Sequence, residues 1–535
     1  MSITEPLLEA DDIQGNILAG FNKDHQQFIF FEIEKPDLVK DWLRYIEPKI
    51  STLREVVSFN RLYQTMWARQ GNEPKGLIAT WMNLAFSYSG LQKILPKEKL
   101  LDFGQESAYV KGLQKRSGDL GDPTDPTAEG HPNKWVLGGS ANNPDICLII
   151  ASDSHNQLEA MISTIKLSID KVPGFGKSSG LKMVFEQACK TRFDLPGHEH
   201  FGFKDGVSQP GVRGKISVAL DDYLTKRFID SSDPRSQIEA SPGQKLIWPG
   251  EFVFGYPKQK DDDPITPDQI KDSDLPSVYS VPVWAKNGSF LVVRRLRQDV
   301  KGFWEFLINE GPKVGISDPF MFGAKLVGRW PSGAPIMRSP TQDNKELAKA
   351  DLANNNFNFQ NDSSAAKIRS DIDFKDEIDQ AKADEFGEVC PVSAHIRKVY
   401  PRDVDTDRPA SANLTRRIIR RGIPYGEPLN INLALPPYED SQNGDRGLMF
   451  LSYQTSIEEQ FEFISNKWTN SKKLPREGGE DPIIGQNNDP SQNNPRTRTF
   501  DLNGCPINLM NDFVIPTGGE YYFQPPISAI KSISL

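Results

Sequence analysis

The chain has 535 residues, and its 63 lysines and arginines against 72 aspartates and glutamates give a formal net charge of −9. Hydrophobic residues make up 37% of the sequence, so a chain of this length can bury a large core and a cavity, which excludes a disulfide-stapled miniprotein and a disordered tail. The acidic balance provides no overall positive field for binding a nucleic acid.

The four cysteines are far apart and form no C-x-x-C pair, which excludes a zinc ribbon, a thioredoxin-type motif and covalent attachment of haem c. The first residues lack a basic segment followed by an apolar one, as a secretion signal would have. The longest apolar runs are far shorter than the roughly 20 residues that span a bilayer. We therefore expect a cytoplasmic protein with no membrane association, and export without a leader stays open.

Residues 1–210 alternate strand-like and helix-like patterns. Segments rich in β-branched and aromatic residues predict strands at Phe28–Ile33, Val56–Thr65, Thr80–Tyr88 and Ile146–Ala151. Capping residues and apolar spacing predict helices at Pro36–Ile46, from a Ser89 cap to Leu95, and after a Ser154 cap. The resulting order, β-α-β-β-α-β with an extra helix, is typical of a ferredoxin-like unit.

Residues 211–535 repeat this order with long insertions. The predicted elements are a strand at Ser289–Val293, a helix at Val300–Leu307, a strand pair at Arg417–Ile423 and Gly447–Tyr453, a helix at Ser456–Trp468 and a strand at Glu520–Phe523. The segments 258–275 and 340–385 are predicted surface insertions, and 475–500 is a predicted loop. We predict an α+β protein of two ferredoxin-like units, 1–210 and 211–535, that pack sheet against sheet with the helices outside.

Histidine is scarce in this chain, with six residues in all. His25, His131 and His155 lie in polar turns or at a helix start, where a solvated side chain is expected. His198 and His200 form an H-x-H pair that would bind a metal from an extended segment, but no third ligand lies near them in the sequence. His395, between Ala394 and Ile396, is by itself best explained as a core histidine.

Asp205 stands out in the segment Phe201–Gly211, FGFKDGVSQPG. Glycines on both sides of Asp205 would let the backbone approach a flat ligand closely and direct the carboxylate towards it. The alternative is an aspartate that closes a turn through its own backbone. The five letters G-x-x-D-G alone do not decide between the two.

These segments taken together resemble the dye-decolorising peroxidase family. The likeness is carried by GFKDGVSQPG, CPVSAHIRKVYPR and RRGIPYG, and it extends over nearly the whole chain through Ile13–Leu18, Pro249–Tyr256, Gly288–Val293, Gly328–Pro335 and Gly447–Ile464. The resemblance implies a dimeric α+β barrel and noncovalently bound haem b. It also implies a peroxidase that uses hydrogen peroxide to oxidise dyes, phenolic or other aromatic donors through an oxoferryl intermediate.

The resemblance also implies roles for individual residues. His395 matches the proximal iron ligand, Asp205 the distal acid–base group, and Arg420, two residues before Gly422, the distal charge stabiliser. If Arg420 faces the site from a strand, Arg421 points away from it. Leu448 and Phe450, at alternate positions of one strand, are expected to form an apolar distal wall.

The resemblance implies roles for two further residues, Glu458 and Arg397. Glu458 matches the region of the acidic partner of the proximal histidine, with Glu459 and Glu462 as alternatives. Arg397 is a candidate partner of a haem propionate.

The sequence leaves two alternatives to a peroxidase, a haem-handling protein and a module that binds a divalent cation. A haem-handling protein on the same fold would need His395 but not both Asp205 and Arg420. A divalent-cation module would use acidic loops such as Asp261–Asp263 or Asp403–Asp407, but the latter lacks the glycine and terminal glutamate of a calcium loop. The sequence leaves the physiological donor and the oligomeric state open.

Overall fold

The structure, a computed structural model, describes residues 4–74, 76–104, 107–269, 283–429, 444–502 and 504–535. Its strands in chain order are β1 (His25–Ile33), β2 (Thr80–Ser87), β3 (Ile146–Ser152), β4 (Leu181–Lys190), β5 (Gly211–Val212), β6 (Glu239–Ser241), β7 (Gln244–Ile247), β8 (Ser289–Gln298), β9 (Ala366–Lys367), β10 (Glu377–Ile378), β11 (Ile419–Arg420), β12 (Ile423–Tyr425), β13 (Gly447–Gln454), β14 (Arg498–Leu502), β15 (Cys505–Leu509) and β16 (Val514–Gln524).

The α-helices of the described residues are α1 (Gly15–Leu18), α2 (Pro36–Ile46), α3 (Leu53–Gln70), α4 (Tyr88–Ile94), α5 (Ala108–Lys111), α6 (Leu113–Arg116), α7 (His155–Asp170), α8 (Val300–Glu310), α9 (Pro319–Val327), α10 (Lys345–Lys349), α11 (His395–Val399) and α12 (Ile527–Ser534). Two turns of π-helix, Ile457–Glu462 and Ile464–Thr469, follow β13. Within the described part of the chain, no helix is long and apolar enough to cross a membrane.

One antiparallel sheet organises the molecule. Its strand order is β11-β13-β8-β16-β2-β3-β1-β4, and β12 also pairs with β13. The two halves of the chain join where β16 meets β2, with Tyr522 opposite Ser87. The far ends of the sheet approach one another, since β12 contacts β4 and Lys190 Nζ lies 2.7 Å from Glu427 Oε1. The sheet therefore curls towards a barrel, and the predicted α+β class is confirmed.

Alternate strand residues pack on opposite faces of this sheet. On β1, Phe28 and Phe30 join the cluster inside the barrel, whereas Ile29 and Phe31 pack outward with the buried residues of α2 and α7. The helix α2 has the predicted bounds and buries Trp42 among its apolar residues. The predicted strands Phe28–Ile33, which forms the C-terminal part of β1, Thr80–Tyr88 (β2) and Ile146–Ala151 (β3) are confirmed as well.

The predicted strand at Val56–Thr65 is wrong, because this segment lies inside α3. A capping box begins that helix: Thr52 Oγ1 accepts a hydrogen bond from Glu55 N at 3.2 Å, and Glu55 Oε2 accepts one from Thr52 N at 2.7 Å. The β-branched residues Val56 and Val57 favour a strand, but the helix-capping residues Thr52 and Glu55 just before them decide the structure. The β-α-β-β-α-β order is instead completed by β4, which pairs with β1 and was not predicted.

A smaller correction concerns the cap of α4. Ser87, not Ser89, accepts the hydrogen bond from Gly90 N, at 3.2 Å. Ser89 Oγ donates instead to Asp145 Oδ1 at 2.8 Å.

The elements predicted for the second half are confirmed, except that two short strands, β11 and β12, replace the single predicted strand Arg417–Ile423. They correspond to β8, α8, the pairing of β11 and β12 with β13, the π-helical turns after Ser456, and β16. The predicted loop 475–500 is irregular up to β14, and the predicted insertion 258–275 lies only in part within the described residues. The boundary between two units at residue 210 stays a prediction.

Candidate active site

A cavity of about 330 Å³ lies on the outer face of the second half of the sheet. Alternate residues of β8 (Leu296 and Gln298) and of β13 (Leu448 and Phe450) form one wall. The insertions around Asp205, His395, Arg417 and Ile483 enclose the rest. This volume lies in the range of small-molecule sites, roughly 300–1,000 Å³. The two residues predicted to form an apolar wall, Leu448 and Phe450, thus line the same cavity as Asp205 and His395.

Asp205 and Arg420 are brought together on one side of the cavity. Arg420 NH1 donates a hydrogen bond to Asp205 Oδ1 at 2.8 Å, although the two residues are 215 positions apart. Gly206 N donates to the same carboxylate oxygen at 2.6 Å, and Gly206 has a positive φ of 74° that favours glycine. Gln209 ties this loop to β11, because its Nε2 donates to the carbonyl of Arg420 at 3.0 Å.

The surroundings of Asp205 keep its carboxylate ionised. Burial alone would raise the pKa of Asp205, but the positive charge of Arg420, the Gly206 N–H and the hydrogen bond from Arg420 together lower it below its usual value. About a third of the side chain (37%) nevertheless remains accessible, because it lines the cavity. The group is therefore a charged base that a small molecule can reach.

The adjacent arginines point to opposite faces of the sheet, as strand alternation predicts. Arg420 reaches the cavity, whereas Arg421 donates to the carbonyls of Asn16 at 3.2 Å and Leu18 at 2.6 Å. Of this pair, only Arg420 can act on a molecule held beside Asp205.

His395 lines the cavity from the first residue of α11. Its Nδ1 lies 2.8 Å from Oδ2 of Asp481, a completely buried residue. Oδ1 of Asp481 accepts hydrogen bonds from Ile483 N at 2.8 Å and Ile484 N at 3.0 Å. Burial would raise the pKa of Asp481, but the charge and hydrogen bond of His395 and these two N–H groups lower it. The ionised carboxylate fixes the Nδ1 proton and leaves Nε2 of His395 available to bind a ligand or a metal.

The expectation that a glutamate of 458–462 pairs with His395 is therefore corrected. Glu458 Oε1 accepts a hydrogen bond from Ala108 N at 2.5 Å. Glu459 pairs with Arg416, and Glu462 with Arg116 and the hydroxyl of Tyr521. Asp481 was missed because it lies in a loop rich in Asn, Pro and Gly, 86 residues after His395, where the sequence has no period that aligns the two.

Arg397 also lies elsewhere than predicted. Its guanidinium donates to the carbonyls of Asp384 and Cys390, both at 2.9 Å, and stacks over Phe359. With only 1% of its surface exposed, it has no access to the cavity. Arg397 belongs to α11, and its role is structural, since it anchors the segment that leads into His395.

Arg417 offers the cavity an unused donor. Its NH1 is buried and has no hydrogen-bond partner among the described residues, and its Cζ lies 3.5 Å from the ring centroid of Tyr400. Both residues line the cavity. A buried cation with a free donor suits an anionic group of a bound ligand, such as a carboxylate.

The other candidate sites from the sequence take structural roles. His200 is buried, with Nε2 2.8 Å from the carbonyl of Tyr425, and burial lowers its pKa to about 4. Asp403 accepts backbone hydrogen bonds from Phe359 to Asn361, and Asp261 pairs with Arg408. Among the described residues, no cluster of three or more His, Cys, Asp or Glu side chains suits a metal ion.

Comparisons with known proteins agree with this arrangement. Residues 12–178 match the family model of the DyP dimeric alpha+beta barrel domain, and residues 342–476 match that of the Dyp-type peroxidase C-terminal region. Peroxidase 2 of Mycetinis scorodonius is 32% identical over 98% of this chain and 87% of its own length. A dye-decolorizing peroxidase of Mycena epipterygia is 31% identical over the same shares.

Solved structures extend the likeness to three dimensions. An ancestral D-type dye decolorizing peroxidase superposes with a TM-score of 0.72 at 30% identity and covers 99% of both chains. A mutant of the dye-decolorizing peroxidase from Pleurotus ostreatus has a TM-score of 0.71 at 27% identity, covering 99% of this chain and 100% of its own. The barrel-like sheet, the cavity and these full-length likenesses show that the chain belongs to the dye-decolorising peroxidase family, a family of haem enzymes, and is a peroxidase.

Proposed function

We propose that the chain binds haem b noncovalently in the cavity and uses hydrogen peroxide to oxidise dyes, phenolic or other aromatic donors. In this proposal His395 is the iron ligand, Asp205 the acid–base group and Arg420 the charge stabiliser. The observation that supports it best is one cavity with an imidazole on one wall and a hydrogen-bonded carboxylate–guanidinium pair on another.

The residues of the cavity fit a haem. The Nδ1 of His395 is engaged by Asp481, so the free Nε2 suits the iron, and Arg417 NH1 suits a propionate. Leu296, Phe450 and other apolar residues supply walls for a flat apolar ring. The absence of a C-x-x-C pair in the sequence agrees with noncovalent binding.

The chain's own groups would then carry the proton chemistry. Bound haem supplies a redox-active iron at which peroxide reacts. Asp205, ionised because its pKa is lowered, accepts a proton from hydrogen peroxide and returns it to the departing oxygen. Arg420 stabilises the negative charge that develops on that oxygen. Asp481 holds the Nδ1 proton of His395 and makes the imidazole a stronger electron donor.

Asp205 and Arg420 also favour the enzyme over a haem carrier. A carrier requires a ligand and an apolar cavity, but it has no use for a charged acid–base group with a paired cation beside the ligand site. Because they are in direct contact at 2.8 Å and both line the cavity, the carboxylate and the cation are available to the same small molecule.

Reconstitution with hemin tests the proposal. The wild-type protein should develop a Soret band and decolorise an anthraquinone dye only when peroxide is present. The variant His395→Ala should lose tight haem binding, whereas His131→Ala, in a surface loop, should bind haem as the wild type does. A protein that stays colourless with hemin would refute the cofactor, and a Soret band without dye oxidation would indicate a carrier.

A further inference from the structure

Lys398 is a completely buried lysine one helical turn after His395 in α11. Its Nζ donates hydrogen bonds to three backbone carbonyls: Ser471 at 2.7 Å, Leu474 at 2.5 Å and Gly479 at 2.9 Å. An ammonium has three N–H donors, so this group is fully satisfied by a single short segment of the chain.

The three acceptors belong to the segment that leads into Asp481. Asp481 is two residues after Gly479, and its N–H donates to the carbonyl of Thr469 at 2.8 Å. The same helix α11 therefore contacts this segment twice: Lys398 binds its carbonyls, and His395 binds the carboxylate at its end.

We propose that Lys398 is a positioning residue that fixes the segment 471–481, holds the Asp481 carboxylate at Nδ1 of His395, and so sets the electron-donating strength of the proximal imidazole. This inference rests on the proposed ligation of haem by His395. Lys398 does not line the cavity and takes no part in the acid–base chemistry.

Lys398 supplies donors to three backbone carbonyls of one segment. Removing an ammonium from water costs free energy, but an apolar side chain of similar length would leave these carbonyls without these donors. Burial lowers the pKa of Lys398 to about 8 against the attraction of Asp481 and Glu480, so the group remains charged at neutral pH. The ammonium orients the segment, because its three hydrogen bonds all go to carbonyls of residues 471–479.

A weaker hold on the segment has a defined effect on the imidazole. If Asp481 moves away, the Nδ1 proton is shared less with a carboxylate and the imidazole becomes a weaker donor. With haem bound to His395, a weaker donor would give a weaker iron–histidine bond and would stabilise the ferric state less relative to the ferrous state. Loss of a positive charge near Asp481 acts in the opposite direction, since it makes the carboxylate a stronger base.

The experiment compares Lys398→Met with Asp481→Asn and Lys23→Met. Lys23 is a matched control, a buried lysine of the first half that pairs with Asp153, packs over Phe59 and Trp81, and does not line the cavity. Hydrogen exchange of residues 469–485 is measured on the apoproteins. The iron–histidine stretching frequency, from resonance Raman spectra of the ferrous haem proteins, and the ferric/ferrous midpoint potential are measured after reconstitution.

For Lys398→Met we expect exchange in 469–485 to be roughly tenfold faster or more, because hydrogen bonds from a charged group are lost. The stretching frequency should fall and the midpoint potential should rise, both in the direction that Asp481→Asn shows. Lys23→Met should leave the exchange of residues 469–485, the stretching frequency and the midpoint potential unchanged. Lys398→Gln, which is shorter and keeps only two N–H donors, should shift in the same direction by a smaller amount and serves if the methionine variant does not fold.

Unchanged exchange and frequency in the Lys398 variants, beside a clear shift in Asp481→Asn, would overturn the inference. A rise in frequency would overturn it as well, since Lys398 would then act through its charge alone. A wild-type protein without an iron–histidine band would refute the proposed haem ligation instead, and the exchange of the apoproteins would still report on Lys398 independently.

Discussion

Two aspartates, Asp205 in the lining of the cavity and Asp481 enclosed behind His395, show how solvent access decides the role of one chemical group. Asp205 and Asp481 each lie 2.8 Å from a basic partner, Arg420 and His395, and both have lowered pKa values. Asp205 has 37% of its side chain accessible, whereas Asp481 has none. The accessible carboxylate suits proton exchange with a small molecule, and the enclosed one suits holding a proton in place.

The largest expected effect comes from Asp205→Asn. The amide keeps the size of the side chain but cannot accept a proton, so the reaction with peroxide should slow by roughly 100- to 10,000-fold while haem stays bound. Stopped-flow absorbance in the Soret region measures this rate. Asp194→Asn, near the same loop but paired with Arg192 at the surface, is the control. Undiminished reactivity of Asp205→Asn would make Arg420 the principal group.

Arg420→Leu should slow the peroxide reaction by about 100-fold, as for loss of one charge-stabilising donor. It should also move the acid limb of the pH–rate profile to higher pH, because Arg420 lowers the pKa of Asp205. Arg421→Leu is the matched control: it removes a neighbouring guanidinium that faces the other side of the sheet. Equal shifts of the acid limb in both variants would contradict the assignment of Arg420.

Asp481→Asn should weaken haem binding or activity by about 10- to 100-fold, the usual effect of losing a group that orients a metal ligand. Hemin titration and dye turnover measure the two quantities. Glu458→Gln should change neither, because Glu458 bonds to Ala108 N rather than to His395. A larger loss in Glu458→Gln than in Asp481→Asn would show that the acidic partner is misassigned.

The smallest effect concerns the acid stability of the apoprotein. Both aspartates have a lower pKa in the folded chain than the ordinary value of about 3.9, so the unfolded chain binds more protons below about pH 4. Their contribution to the free energy of unfolding is complete above that pH and is lost as the pH falls towards the folded pKa values. Urea unfolding at several acidic pH values should show a flatter dependence for Asp481→Asn than for Asp205→Asn, because solvent in the cavity screens Asp205. An equal pH dependence of the free energy of unfolding in the two variants would contradict the stronger contribution expected of Asp481.

The same contrast explains what the sequence could predict. The roles of Asp205 and Arg420 follow from the resemblance of their segments to the family, and the two-residue period of a strand adds only that Arg421 faces away from Arg420. Asp481 reaches His395 from an irregular loop, and no local rule connects the two. The strand predicted at Val56–Thr65 is wrong for a different reason. The capping box of the helix, Thr52 with Glu55, is present in the sequence, but it lies just before the β-branched residues Val56 and Val57 on which the strand prediction rests.

Arg421 links the catalytic strand to the amino-terminal part of the chain. Two of its three acceptors, the carbonyls of Asn16 and Leu18, lie in α1, and no residue of α1 lines the cavity. Proteolytic removal of residues up to Leu18 would take away the two hydrogen bonds that hold this guanidinium on the opposite side of the strand from Arg420. A trimmed protein should therefore lose its reaction with hydrogen peroxide, although Asp205, Arg420 and His395 would all still be part of the chain.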